Sequence, residues 1–249
     1  MMIVYGVNPV LEALRAGRVR RLLVARSGRD RRIDEAVAVA RSLHVSVERA
    51  DPPALDRAAR GGVHQGIAAE LDAPRDWTLE EIVAAAAPDP PLIVVLDGIE
   101  DPHNVGAIFR TADAAGCHGV VRQARHAASL GGAVAKASAG AVAHVRVATV
   151  VNIARAVEEL KGLGVWTVGL DASATAPYDE VDLTAPTALV VGAEGTGLRR
   201  LVRERCDRVM SIPMRGLVGS LNVSVATGVA LFEAVRQRRR PTAELGRRR

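Results

Sequence analysis

Residues Leu92-Ile-Val-Val-Leu-Asp-Gly-Ile-Glu-Asp-Pro-His-Asn-Val-Gly-Ala-Ile-Phe-Arg-Thr-Ala-Asp-Ala-Ala-Gly116 decide how this chain folds. Five consecutive apolar residues, a polar turn and then apolar positions at helical spacing read as strand, turn and helix. An unbroken rather than alternating apolar run marks a strand covered on both faces, hence a mostly parallel sheet flanked by helices. The same unit recurs toward the C-terminus, with strand candidates at 120–122, 165–170, 189–191 and 209–212. Open α/β sheets bind ligands beyond the C-terminal ends of their strands, so the polar turn after Leu96 is where chemistry is expected. With a helix beginning near Asn104, Arg110 lies about two turns inside it.

Upstream, residues 2–72 alternate short strands and helices. Asn8 reads as an N-cap with Pro9 at the first helical position, and Gly17 follows the helix end. Runs at 22–25, 45–47 and 67–71 read as strands, and 33–44 as a helix. Four prolines and an alanine run at 74–91 mark a linker around one short helix at 79–87. The expected organisation is a small α/β domain at 1–73, a linker at 74–90, a larger α/β domain at 91–238 and a basic tail at 239–249.

Of the 249 residues, 49% are hydrophobic and 24% charged, which excludes intrinsic disorder and fits one large or two modest domains. No apolar run reaches the roughly 18 to 20 residues that span a bilayer, and residues 1–17 lack a secretory pattern, so a cytoplasmic protein without a membrane partner is expected. Cys117 and Cys206 form no CxxC pair and read as small packing residues. None of the six histidines pairs at metal-ligand spacing, so no metal is expected. The net charge of +5 is uneven: residues 236–249 hold seven arginines against Glu244, and eight arginines between Arg15 and Arg32 face only Asp30. Such clusters are solvated surface or contacts to a polyanion. With aromatics at 2%, recognition of a nucleic acid would rest on arginine and backbone geometry rather than base stacking.

Two further segments carry chemistry. Leu189-Val-Val-Gly-Ala-Glu-Gly-Thr-Gly-Leu198 places three glycines around Glu194 directly after a strand. The spacing is neither the dinucleotide fingerprint nor a phosphate loop; it suits close backbone approach to a flat, neutral ligand such as adenine. In Ser211-Ile-Pro-Met-Arg-Gly-Leu-Val-Gly-Ser-Leu-Asn-Val-Ser224, a strand ends in a glycine-punctuated loop, and a long helix begins near Asn222, capped by Ser220 or Asn222. That helix is apolar or small almost all round from Val223 to Phe232, which implies burial against the core or a second subunit.

These three segments, in this order, closely resemble the three signature motifs of the SPOUT superfamily of RNA methyltransferases, in its TrmH/RlmB family, and most the branch that 2′-O-methylates a guanosine of 23S rRNA. Val4-Tyr-Gly-Val-Asn-Pro-Val-Leu-Glu-Ala-Leu14 and Gly62-Val-His-Gln-Gly-Ile67 resemble that family's N-terminal substrate-binding domain, so the likeness covers nearly the whole chain. The resemblance implies a small N-terminal L30e-like α/β domain and a C-terminal SPOUT α/β domain with a deep trefoil knot. It implies that S-adenosylmethionine is held mainly by backbone groups at Gly192, Ile212 and Leu221. It further implies a homodimer in which each site is completed by the other subunit, with RNA rather than DNA as substrate.

A ribose 2′-hydroxyl is a poor nucleophile, and the resemblance assigns Arg110 to act on it. Because a free guanidinium has a pKa above about 12, the preferred role keeps Arg110 cationic, stabilising the alkoxide as it develops, with general-base action as the alternative. Asn104, Glu194, Ser220 and Asn222 match the family's other polar positions and would orient Arg110 and the ribose, with Glu194 as the carboxylate partner of Arg110. Where relatives commonly carry an acid–arginine pair before the Lys136-Ala-Ser-Ala-Gly140 stretch, this chain has Arg125-His126, which leaves the target open. Transfer RNA, a resistance-type rRNA site and a nonenzymatic RNA-binding role stand as alternatives.

Overall fold

The computed structural model describes residues 2–26, 30–72 and 75–239. The N-terminal part contains β1 (Met2–Tyr5), α1 (Val7–Arg15), β2 (Val19–Ala25), α2 (Arg31–Ser42), β3 (Ser46–Ala50), α3 (Pro52–Ala59) and β4 (Ile67–Leu71). Its four strands lie in the order β1-β4-β2-β3, with β4 antiparallel to both neighbours and β2 parallel to β3. Asn8 is not the cap of α1. Gly6 occupies that position, and the helix already includes Val7, so Pro9 falls at its third residue.

After α4 (Leu79–Ala84), whose Thr78 and Glu81 form a reciprocal capping box, the chain builds the larger unit. Its elements are β5 (Leu92–Asp97), α5 (Pro102–Ala114), β6 (Gly119–Gln123), α6 (Gly132–Ala137), a 3₁₀ turn at Ala141–Ala143, β7 (Val147–Val150) and α7 (Ile153–Gly162). They continue with β8 (Trp166–Leu170), β9 (Ala176–Pro177), β10 (Thr187–Gly192), α8 (Arg200–Arg205), β11 (Arg208–Ser211) and α9 (Val223–Arg238). The seven strands are all parallel, in the order β7-β6-β5-β10-β8-β11-β9. The sequence reading missed β7 and β9: β7 is four residues long and broken by the polar Thr149, and β9 is two residues long, so neither presents an apolar run.

Burial on both faces explains the unbroken apolar strands. Leu92, Val94 and Leu96 pack with Ile108 and Phe109 of α5 and Leu231 of α9, whereas Ile93 and Val95 pack with Ile82, Ile153 and Leu160 of α4 and α7. Helix α5 starts at Pro102 with Asp101 as its cap, accepting from the His103 and Asn104 amides. Asn104 is therefore inside the first turn, and its buried side chain is free for other use. Close packing of α5 on α6 depends on Gly106, where a Cβ would stand 2.4 Å from that of Ala137.

Several arginines of the basic clusters are structural. Arg21 pairs with Glu70 at 2.5 Å and Glu48 at 2.9 Å, and Arg236 pairs with Glu233 at 2.7 Å. Arg238 donates to the carbonyls of Leu183, Pro90, Pro91 and Ala185, fixing the end of α9 to the segments that lead into the central strands β5 and β10. Most of the tail lies outside the described residues. Both cysteines are half-buried, and burial pushes their thiols up to about 12, in keeping with a packing role.

The C-terminal end of β5 is locked by one carboxylate. The Asp97 side chain is 0% exposed and accepts from the Arg199 backbone N–H at 2.8 Å and from its Nε at 2.6 Å. Arg199 also donates to Gln123 Oε1 at 2.9 Å, so β5 and β6 end on one hydrogen-bonded cluster with the start of α8. Asp97→Ala leaves the Arg199 amide without its acceptor, while the half-exposed guanidinium returns to water. Urea unfolding should register a loss of about 2–3 kcal/mol, the range for charge-assisted hydrogen bonds; a loss below about 0.5 kcal/mol would contradict this role.

Candidate active site

Three loops meet beyond the C-terminal ends of β8, β10 and β11. After β10, the chain turns tightly: Gly197 N–H donates to Ala193 O at 2.9 Å, and Gly195 and Gly197 have positive φ. This brings the backbone of Gly197 against Gly192, where a Cβ would lie 2.1 Å from the Gly197 carbonyl carbon. The turn, the end of β8 and the loop before α9 enclose a cavity of about 460 Å³. Its apolar wall is formed by Leu170, Val191, Ile212 and Leu221, with backbone from 192–197 and 219–222.

At one rim, a single side chain joins all three predicted segments. Asn222 Oδ1 caps α9 by accepting from the Ser224 and Val225 amides at 2.9 and 3.4 Å. Its Nδ2 donates to Asn104 Oδ1 at 2.9 Å and to Glu194 Oε1. The structure thus brings together Asn104, Glu194 and Asn222, and it places Ser220, Gly192, Ile212 and Leu221 in the cavity wall with Glu194 and Asn222.

Arg110 is not part of this cluster. It is exposed on α5, lies outside the cavity wall, and among the described residues forms no ion pair with Glu194. Within this chain the Glu194 carboxylate is engaged by the Asn222 amide.

Sequence reading missed Asp171 and Ser173, which also line the cavity. Burial opposes ionisation of Asp171. Hydrogen bonds from the Ser173 hydroxyl and amide, together with the Arg203 guanidinium, outweigh it and hold the carboxyl below its usual range. The available signal was the polar Asp-Ala-Ser turn directly after the 165–170 strand, in the same relation to the sheet as the turn after Leu96.

Residues 91–232 match the SpoU rRNA Methylase family. The chain belongs to that family. Residues 3–77 match the domain described as RNA 2′-O ribose methyltransferase substrate binding. The chain is 43% identical over 240 residues to the 23S rRNA (guanosine-2′-O-)-methyltransferase RlmB of Pseudomonas syringae pv. tomato, covering 94% of this chain and 95% of that one. It is also similar to a crystal structure of the SpoU methyltransferase AviRb from Streptomyces viridochromogenes in complex with AdoMet. That match has a TM-score of 0.82 and 30% identity, over 95% of this chain and 89% of the other. The A. aeolicus TrmH/SpoU tRNA modifying enzyme superposes with TM-score 0.55 and 35% identity, over 60% of this chain and 76% of its own.

S-adenosylmethionine is the methyl donor of SpoU enzymes, and the cavity fits it. Its size lies within the roughly 300–1,000 Å³ of small-ligand sites, and its aliphatic walls and main-chain rim suit a flat adenine. Gly192→Ala forces a Cβ into backbone rather than into a movable side chain. Calorimetric titration should show S-adenosylmethionine binding weakened by about tenfold or more, equivalent to about 1.4 kcal/mol. Unchanged affinity would mean that this turn does not shape the cofactor site.

Proposed function

We propose that this SpoU family member transfers a methyl group from S-adenosylmethionine to the ribose 2′-hydroxyl of a guanosine in 23S rRNA, acting as a homodimer. The observation that carries the reading is the Asn222 amide joining Asn104 and Glu194 at the mouth of a cofactor-sized cavity. The RlmB relative, alike along nearly its full length, supports ribosomal RNA as the target. The likeness to a tRNA enzyme covers only 60% of this chain.

Gly192, Ile212 and Leu221 would hold the cofactor, which supplies a methyl group already activated by a positively charged sulfur. The chain's own residues then address the acceptor. Asn104, Glu194 and Asn222 form a fixed polar edge, and Ser220 adds a hydroxyl beside it. Arg110, kept cationic, binds the acceptor and stabilises negative charge developing on the 2′-oxygen, while the proton leaves to phosphate or water.

Arg110 is supplied by the second subunit. Its exposure and its distance from the cavity wall of its own chain support this, as does the apolar face left uncovered on α9, where Val225 and Phe232 are about half exposed. In the loop before α9, Leu217 and Val218 are also open. Burial of such residues between subunits is what the apolar character of the segment requires. The return of α9 onto α5 and β10 supports a knotted chain path in this region. The division at 73/74 and 90/91 would separate an RNA-binding unit from the methyl-transfer unit.

Arg110→Ala should lower methyl transfer to 23S rRNA by about 10²–10³-fold or more with cofactor affinity unchanged. Asn222→Asp keeps an acceptor for the α9 cap but sets a carboxylate against Glu194, so it should lose activity with little loss of stability. Mixing the two inactive variants tests both the dimer and the origin of Arg110. Random reassociation leaves one intact site in half of the dimers, restoring about a quarter of the wild-type rate if Arg110 acts across the interface. No recovery, from proteins shown to exchange subunits, would place the arginine's action within one chain.

A further inference from the structure

A second cavity, of about 340 Å³, lies at the opposite end of the large sheet. Its walls come from the N-terminal unit through Met2 and Arg18, from the connecting segment through Arg75 and Trp77, and from the entry to β7 through His144 and Arg146. Strands β6 and β5 separate β7 from β10, and the cavity sits where β7 begins rather than ends. Strand spacing and rise put it on the order of 20 Å from the methyl-donor cavity.

Its electrostatics are unbalanced. Among the described residues, three arginines line the cavity and no acidic residue does. Arg75 pairs with Glu81 and lies 4.1 Å over the Trp77 ring, with Arg146 at 5.3 Å from the same ring. Among the described residues, the one hydrogen-bond contact of the Arg146 guanidinium is a long one, 3.4 Å to His118 O. Arg18 Nη1 is spent on the carbonyls of Val142 and Ala143, at 3.4 and 3.2 Å. Its Nη2 is sealed from solvent and, among the described residues, has no hydrogen-bond partner. Of the acids nearby, Asp76 accepts from the Thr149 amide, Glu12 faces His144, and Asp72 offsets only part of the burial that lowers the Arg18 pKa.

Buried donors left without acceptors, and cations gathered without anions, are disfavoured unless a ligand completes them. Guanidinium groups present planar forks matched to phosphate oxygens. From this arrangement we infer that the cavity between the N-terminal unit and the β7 edge is a phosphate-binding site, separate from the methyl-donor site. Arg146 supplies its donors, Arg18 adds positive charge at the wall, and Trp77 holds Arg75 and Arg146 in place. A phosphodiester of the RNA substrate is the source best matched to its position, because the walls draw on the unit that resembles a substrate-binding domain. A ligand there would fix the N-terminal unit against the sheet, since Arg18 already ties the two together.

The test uses the full chain and in vitro transcribed 23S rRNA, with affinity measured over roughly 0.05–0.3 M KCl. Arg146→Gln and Arg18→Gln should each reduce the slope of log affinity against log salt by about one, with binding weakened several-fold. Circular dichroism and S-adenosylmethionine affinity should stay at wild-type values. Arg146→Gln decides the matter if Arg18→Gln disturbs folding. In a parallel arm, inorganic phosphate at constant ionic strength is scored by melting temperature. Stabilisation of the wild type but not of the variants, with unchanged RNA slopes, assigns the site to a free phosphate group instead of the RNA backbone. Wild-type slopes together with an unaltered phosphate response in folded Arg146→Gln would overturn the site altogether. A wild-type chain that fails to bind S-adenosylmethionine would remove the methyl-transfer reading and leave this one intact.

Discussion

The site depends on one amide. Asn222 is the cap of α9 through its oxygen and the tie between Asn104 and Glu194 through its nitrogen. Only Asn combines an acceptor for helix amides with a two-hydrogen donor on so short a stem, so neither Asp nor Ser reproduces the junction. Segments more than a hundred residues apart are held in register by it, and the cavity wall on either side follows the loops it joins.

Beneath that junction, the sheet supplies rigidity. The strands are buried on both faces, and Asp97 with Arg199 and Gln123 fixes their C-terminal ends, where parallel strands present free backbone groups to a ligand. Glycines set the loop geometry at closer range. At Gly192 the neighbouring backbone already fills the space of a side chain, so the turn bearing Glu194 has a single arrangement compatible with the cavity.

Charge is divided between architecture and recognition. Arginines of the two basic clusters separate in space: Arg21, Arg236 and Arg238 are consumed by carboxylates and carbonyls, whereas Arg18 lines a cavity together with Arg146, which belongs to neither cluster. Arg110, on α5, is exposed and stands outside the cavity wall of its own chain.

Sequence alone determined the parallel sheet, the order of its principal strands along the chain and the three chemical segments, because burial on both faces leaves uninterrupted apolar runs and tight turns demand glycine. Helix starts were less legible. Asn8 and Asn104 look like caps, but Gly6 and Asp101 hold those positions, since a residue type suited to capping is also suited to other side-chain hydrogen bonds, with Arg32 at Asn8 and with Asn222 at Asn104. Tertiary structure decided which polar residues meet. That Glu194 joins Asn222, that Asp171 enters the cavity wall, and that Arg18 and Arg146 line one cavity all follow from the crossing order of strands. Side-chain periodicity encodes what a strand buries but carries no information on which strand lies beside it.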